Sequence, residues 1–115
     1  MSIPVPFTSL AQVLKNYNSA TLITLREGGF AKVMTVDPIL KGGKILVANP
    51  RQSIKQNVAA NNHVTLLWQP LQRHGWTLIV DGYGTIVADL LEIQMHSGML
   101  HRPRAHGDGP AATVY

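Results

Sequence analysis

The stretch ILVANPRQSIKQNVAANNHVTLLW, residues 45–68, decides how the chain reads. Its first part, ILVAN, is an apolar run of strand length, and Pro50 stops it because proline has no N–H to give a ladder. Residues 53–62 then suit a short helix: they contain alanines and no proline or glycine, and Asn61-Asn62 ends them. VTLLW is a second apolar run. The mouth between strand and helix carries Arg51, Ser53 and Lys55. Two readings fit that mouth. It is either a solvated connection in which Ser53 caps the helix, or a cradle for an anion. A phosphate at a helix N-terminus meets free N–H groups and the positive end of the dipole. Arg51 would offer a planar fork for two oxygens, Lys55 a point charge and Ser53 a hydroxyl.

Working outward, Leu10, Val13, Leu14 and Tyr17 recur at helical spacing and predict a helix over 8–17, capped by Thr8 or Ser9. ATLITLR and FAKVMTVDP flank the turn signal Glu27-Gly28-Gly29 and read as a hairpin. Gly42-Gly43 leads into KILVAN, the third strand, and HVTLLW is the fourth. WTLIVDG is expected as a fifth strand and YGTIVA as a sixth after a break at Gly82. LLEIQMH, 90–96, has a period compatible with strand or helix. Residues 101–111 read as a Pro/Gly-rich loop, and ATVY as the start of a last strand. The expectation is one domain over 1–115: a short N-terminal helix, a barrel over about 19–96, and a C-terminal loop and strand over 97–115. Strands at short spacing with one wedged helix make this a mostly β, mostly antiparallel barrel.

Composition narrows the function. With 45% hydrophobic and 14% charged residues, the chain is poor in charge for its 115 residues, which favours a buried subunit interface and a homodimer. There is no cysteine, so disulfides, thiolate metal sites and thiol catalysis are excluded. The N-terminal MSIPVPFTSLAQVLKNY has neither a basic leader nor a long apolar core, and no run reaches the length of a membrane helix. The expected location is the cytoplasm, with no membrane partner. The net charge is +4, and no acidic residue falls between Asp37 and Asp81, a window holding Lys41, Lys44, Arg51, Lys55 and Arg73. Such a window is a candidate anion-binding face.

Other chemistries find little support. His96, His101 and His106 recur every five residues, which suits ligands on neither helix nor strand, so no metal site is expected. There is no GxSxG, GxGxxG or GxxxxGK[ST] motif. Phe7, Tyr17, Phe30, Trp68, Trp76, Tyr83 and Tyr115 form no repeating platform of the kind that stacks single-stranded bases, which disfavours nucleic acid. Trp68 and Trp76 bracket a loop and read as core or as the lining of a pocket for a flat ring. A chain with six acids, no thiol and no metal set must borrow its chemistry from a cofactor or do none.

From about Ser19 to Ala88 the order of elements resembles the pyridoxamine 5'-phosphate oxidase-like FMN-binding split barrel family. TLITLREGGFAKVMTVDP is similar to that family's first hairpin. KILVANPRQSIKQNVAANNHVTLLW resembles its strand, phosphate-binding mouth, helix and next strand, with NVAANNHV matching a recurring Asn-apolar-x-x-Asn-x-x-Val that begins at Asn57. WTLIVDGYGTI resembles the strand that continues round the barrel. The resemblance implies a split β-barrel, antiparallel and Greek-key-like, forming a homodimer with FMN at the subunit interface. It implies that Lys32, Val33, Met34, Thr35 and Val36 lie along the isoalloxazine ring. Asn49, Arg51, Gln52, Ser53 and Lys55 would surround the phosphate, with Asn57 beside them. Trp76 and Thr77 would lie on the strand that reaches the flavin of the other subunit. The expected activity is flavin-dependent oxidoreduction of an unidentified small molecule, with no residue marked as catalytic acid or base. The alternatives are the deazaflavin F420 as cofactor, and a flavin or haem carrier without turnover.

Overall fold

The computed structural model describes residues 1–114. Eight strands and two helices follow in the order β1 (Ser2–Pro4), α1 (Phe7–Leu14), β2 (Ala20–Leu25), β3 (Ala31–Val36), β4 (Ile39–Lys41), β5 (Lys44–Ala48), α2 (Gln52–Ala60), β6 (His63–Trp68), β7 (Thr77–Val87) and β8 (Leu90–His101). One antiparallel sheet runs β3-β2-β6-β7-β8-β5-β4, with β1 also paired to β8. The strands β3 and β4 stand at opposite edges of that order, yet only Asp37 and Pro38 separate them in the chain. Three Cα–Cα steps reach at most roughly 11 Å. The two edges must therefore meet at that link, and the sheet curls into a barrel joined at one corner.

The strand alternation supplies the core. Leu22, Val64, Leu66, Trp68, Leu78 and Val80 point inward from β2, β6 and β7, and Ile45, Val47, Leu91, Ile93 and Leu100 from β5 and β8, all buried. Helix α1 adds Leu10 and Val13, and α2 adds Ile54 and Val58. Each such side chain contributes about 1.5–3 kcal/mol when fully withdrawn from water.

Several expectations are corrected. Helix α1 ends at Leu14, and Pro6 occupies its N-cap position, so neither Thr8 nor Ser9 caps it; Tyr17 lies in the turn beyond, where its N–H bonds the Leu14 carbonyl. The fifth and sixth strands are a single strand, β7. The predicted break at Gly82 is a register shift between Asp81 and Gly82 in the β7–β8 pairing, so the irregularity is absorbed as a bulge. Residues 90–96 are strand, because β8 has β7 along one flank and β5 and β1 along the other. The barrel accordingly runs on to His101, and the strand expected at the C-terminus is absent over 112–114; Tyr115 lies outside the described residues. A 3-10 turn, Arg104–His106, interrupts the expected loop. The three-residue strands β1 and β4 carry too few residues for a period to show.

The bulge needs a glycine for a steric reason. A Cβ on Gly82 would lie 2.6 Å from the Gln94 carbonyl oxygen and 2.7 Å from Ile93 Cγ2. Gly82→Ala is therefore expected to destabilise the barrel by about 1–3 kcal/mol, read as a lower urea midpoint with an unchanged slope.

Candidate functional site

The corner where β3 turns toward β4 borders a cavity of about 380 Å³. Its walls come from Leu22 of β2, Met34, Thr35 and Val36 of β3, Asp37, Val47 and Ala48 of β5, Asn49, Pro50, Arg51, and Ile54 of α2. Three local features bring these together. As an edge strand, β3 leaves the backbone N–H and C=O groups of alternate residues unpaired on its outer side. Asn49 leaves β5 in the left-handed region at φ 50°, which asparagine tolerates better than most residues, and its N–H bonds the Asp89 carbonyl of the β7–β8 turn at 2.8 Å. That reversal delivers Pro50 and Arg51 to the start of α2.

The start of α2 is open. Arg51 is the N-cap residue, and no side chain caps the helix. The amides of Ile54 and Lys55 both bond the Arg51 carbonyl, while those of Gln52 and Ser53 have no partner among the described residues. Ser53 thus sits at the second helical position and is not the cap, and no acidic residue occupies the first turn. Free N–H groups at a helix start carry part of the positive end of its dipole. Arg51 and Lys55 make no ion pair among the described residues, and Arg51 is exposed. The one carboxylate on the wall, Asp37, accepts a hydrogen bond from the Ser19 hydroxyl.

Of the residues singled out from the sequence, Met34, Thr35, Val36, Asn49 and Arg51 line this cavity. Gln52, Ser53 and Lys55 stand at the helix mouth beside it, outside its lining. Lys32 lies further along β3, opposite Thr24, and Val33 projects to the other face, 58% exposed. Asn57 faces the barrel: its side-chain N–H donates to the hydroxyl of fully buried Thr24 at 3.1 Å. Trp76 and Thr77 do not reach this cavity from their own chain. Trp76 is buried, its indole N–H donates to the Pro110 carbonyl, and the Arg102 guanidinium lies 4.1 Å from its ring centre. The sequence reading missed Leu22, Asp37, Val47, Ala48, Pro50 and Ile54. For Asp37 the signal was the Asp37-Pro38 link, whose meaning depends on which strands it joins.

A second cavity, of about 550 Å³, lies between α1, the β6–β7 connection and the C-terminal segment. Tyr17 donates its hydroxyl to the Trp76 carbonyl at 2.8 Å there, and burial pushes that hydroxyl above its ordinary pKa. Nearby, His74 stacks on His106 with ring centres 3.9 Å apart and bonds Asp108 at 2.7 Å. That hydrogen bond holds the Asp108 carboxyl below the ordinary carboxylate value. His63 and His96 pack edge-on against Tyr83, and His101 bonds Ser2. Among the described residues no three His, Asp or Glu side chains converge on one point.

No protein-family model matches the chain. Two curated relatives, uncharacterized proteins of Mycobacterium bovis and Mycobacterium tuberculosis, are each 34% identical over 87 residues. That match takes in 68% of this chain and 61% of theirs, so the chain spans less than two thirds of their length. Among solved structures, a candidate pyridoxamine 5'-phosphate oxidase from Listeria innocua superposes with a TM-score of 0.67 at 11% identity, covering 82% of this chain and 96% of its own. An FAD binding protein from Mycobacterium smegmatis gives 0.62 at 14% identity, with 89% and 100% covered. An F420 reductase gives 0.61 at 15% identity, with 76% and 93% covered. The fold is thus the split barrel of pyridoxamine 5'-phosphate oxidase-like proteins.

Asn57 ties the helix that borders the cavity to β2. Asn57→Ala would leave the buried Thr24 hydroxyl without that donor and is expected to cost about 1–2 kcal/mol in chemical denaturation, without changing the far-ultraviolet dichroism of the folded protein.

Proposed function

We propose that the chain is a member of the pyridoxamine 5'-phosphate oxidase-like family that binds a phosphorylated flavin, FMN in the first place, at the corner cavity. The observation that carries this reading is the meeting of an uncapped helix start and an unpaired strand edge on one cavity. The residues present fit such a group. The amides of Gln52 and Ser53, the Ser53 hydroxyl and the Arg51 fork would hold the phosphate, with Lys55 adding charge one turn along. The unpaired backbone of β3 around Val33, Met34, Thr35 and Val36 would meet the polar edge of the ring, with Lys32 beyond it. Asn49 would set the turn between ring and phosphate sites. Asn57 would act through the position of α2, since its amide is already engaged by Thr24.

When bound, the flavin supplies hydride transfer, which no side chain here can perform alone. The chain would act as an oxidoreductase on a substrate the site does not identify. Its own part is to bind, orient and exclude water. The deazaflavin F420 presents the same kind of flat ring and the same need for an anion cradle, and the likeness to an F420 reductase supports it as the alternative occupant.

The working unit is proposed to be a homodimer. Leu67, Ile79 and Met99 pair directly across β6, β7 and β8 on the side of the sheet away from the core, and Ile23 lies on that side of β2. An apolar row on an outer sheet face is what a second copy would cover. Thr77 stands on the same face and could meet a partner's cofactor. Trp76 is committed within its own chain by Pro110 and Arg102, so its role is to shape that region.

The test compares FMN with riboflavin, which lacks the phosphate. The wild-type chain is expected to bind FMN more tightly. Arg51→Ala combined with Lys55→Ala should weaken FMN at least about tenfold, leave riboflavin unchanged and preserve the fold. An unchanged FMN affinity in that variant would remove the phosphate from this mouth.

A further inference from the structure

The cavity between α1, the β6–β7 connection and the C-terminal segment shares no lining residue with the corner, and it is the larger of the two at about 550 Å³. That volume is within the range of sites that enclose a small organic molecule. Buried Val13, Trp76 and Leu100 give it an apolar floor, and Pro70, Leu71 and Pro110 contribute apolar walls.

Two polar groups of the walls, the Trp76 indole N–H and the Tyr17 hydroxyl, are spent within them. The Pro110 carbonyl accepts from both Trp76 Nε1, at 3.0 Å, and Arg102 Nη1, at 2.7 Å. The Trp76 carbonyl accepts from the Tyr17 hydroxyl. Arg102 also donates to the His74 carbonyl, so one buried guanidinium ties the C-terminal wall to the β6–β7 connection. These bonds hold the Trp76 floor and the Pro110 wall in place before a ligand enters.

One charge remains. Among the described residues, Lys15 is the sole charged residue of the lining and makes no ion pair, and it is exposed at the end of α1. Among the described residues no carboxylate lines the cavity. Asn16 and Gln72 add neutral hydrogen-bonding groups to the lining.

We propose that this cavity is a second ligand site, separate from the corner, for a small organic acid: a one- or two-ring apolar body lying against Trp76 and Leu100, with its carboxylate at Lys15. The apolar floor selects the body, and the Lys15 ammonium, with no acid beside it among the described lining residues, selects the sign of its charge. The site does not depend on a flavin at the corner.

The experiment titrates the ¹⁵N-labelled full chain with 2-naphthoate. Saturable shifts are expected at Gly75, at the Trp76 indole N–H and at Ala111, with a Kd below about 1 mM, while the amides of Ser53 and Ile54 stay in place. Lys15 is exposed, so Lys15→Glu should leave the fold intact. It should weaken 2-naphthoate roughly fivefold and turn the preference toward 2-naphthylmethylammonium. Absence of saturation by roughly 10 mM, shifts at the corner instead, or wild-type affinity for 2-naphthoate in Lys15→Glu would each overturn the proposal.

Discussion

The link Asp37-Pro38 is the constraint from which the rest follows. It joins the two outermost strands of a single sheet through two residues, and a sheet whose edges are tethered so closely cannot lie flat. The curl places the inward residues of β2, β5, β6, β7 and β8 around one core. At the joined corner the strand order breaks. There β3 keeps an unpaired edge, β5 has turned away at Asn49, and α2 begins without a capping side chain. The same break that spoils the ladder leaves polar backbone groups facing a cavity, and unpaired backbone groups want either water or a ligand.

Much of this could be read from the residues, and the failures have physical causes. The turn signal after ATLITLR and the apolar run in HVTLLW marked strands, in each of which one face is buried, and the lack of proline and glycine over 53–62 marked the helix. Strand β7 was divided in two because glycine in a strand signals both breaks and bulges, and only the partner strand decides which. Ser53 looked like a cap because serine at a helix start usually is one. Here the helix begins one residue earlier, and the serine is left with a free hydroxyl at the second position. The wall residues Leu22, Val47 and Ile54 carry no sequence mark at all, since an apolar residue lining a cavity looks like any other core residue. Trp76 was visible as a pocket-lining candidate, but the pocket it lines lies away from the corner.

The two cavities divide the polar resources of the chain in different ways. Among the described residues the corner keeps its donors unspent: two helix amides, a serine hydroxyl and an arginine without an acidic partner. The cavity beside α1 ties its walls together through Arg102, Trp76 and Tyr17, and keeps apolar surface beside Lys15, Asn16 and Gln72. The first suits a ligand that brings charge to be satisfied, and the second a ligand that brings apolar area.

The central claim is that the corner holds a flavin. The most direct measurement is the visible absorbance of the full chain after incubation with FMN and passage through a desalting column. The account predicts flavin absorbance that travels with the protein, shifted from that of free FMN, and released when the protein is denatured. Protein that emerges colourless, and whose melting temperature does not rise with added FMN or F420, would contradict it.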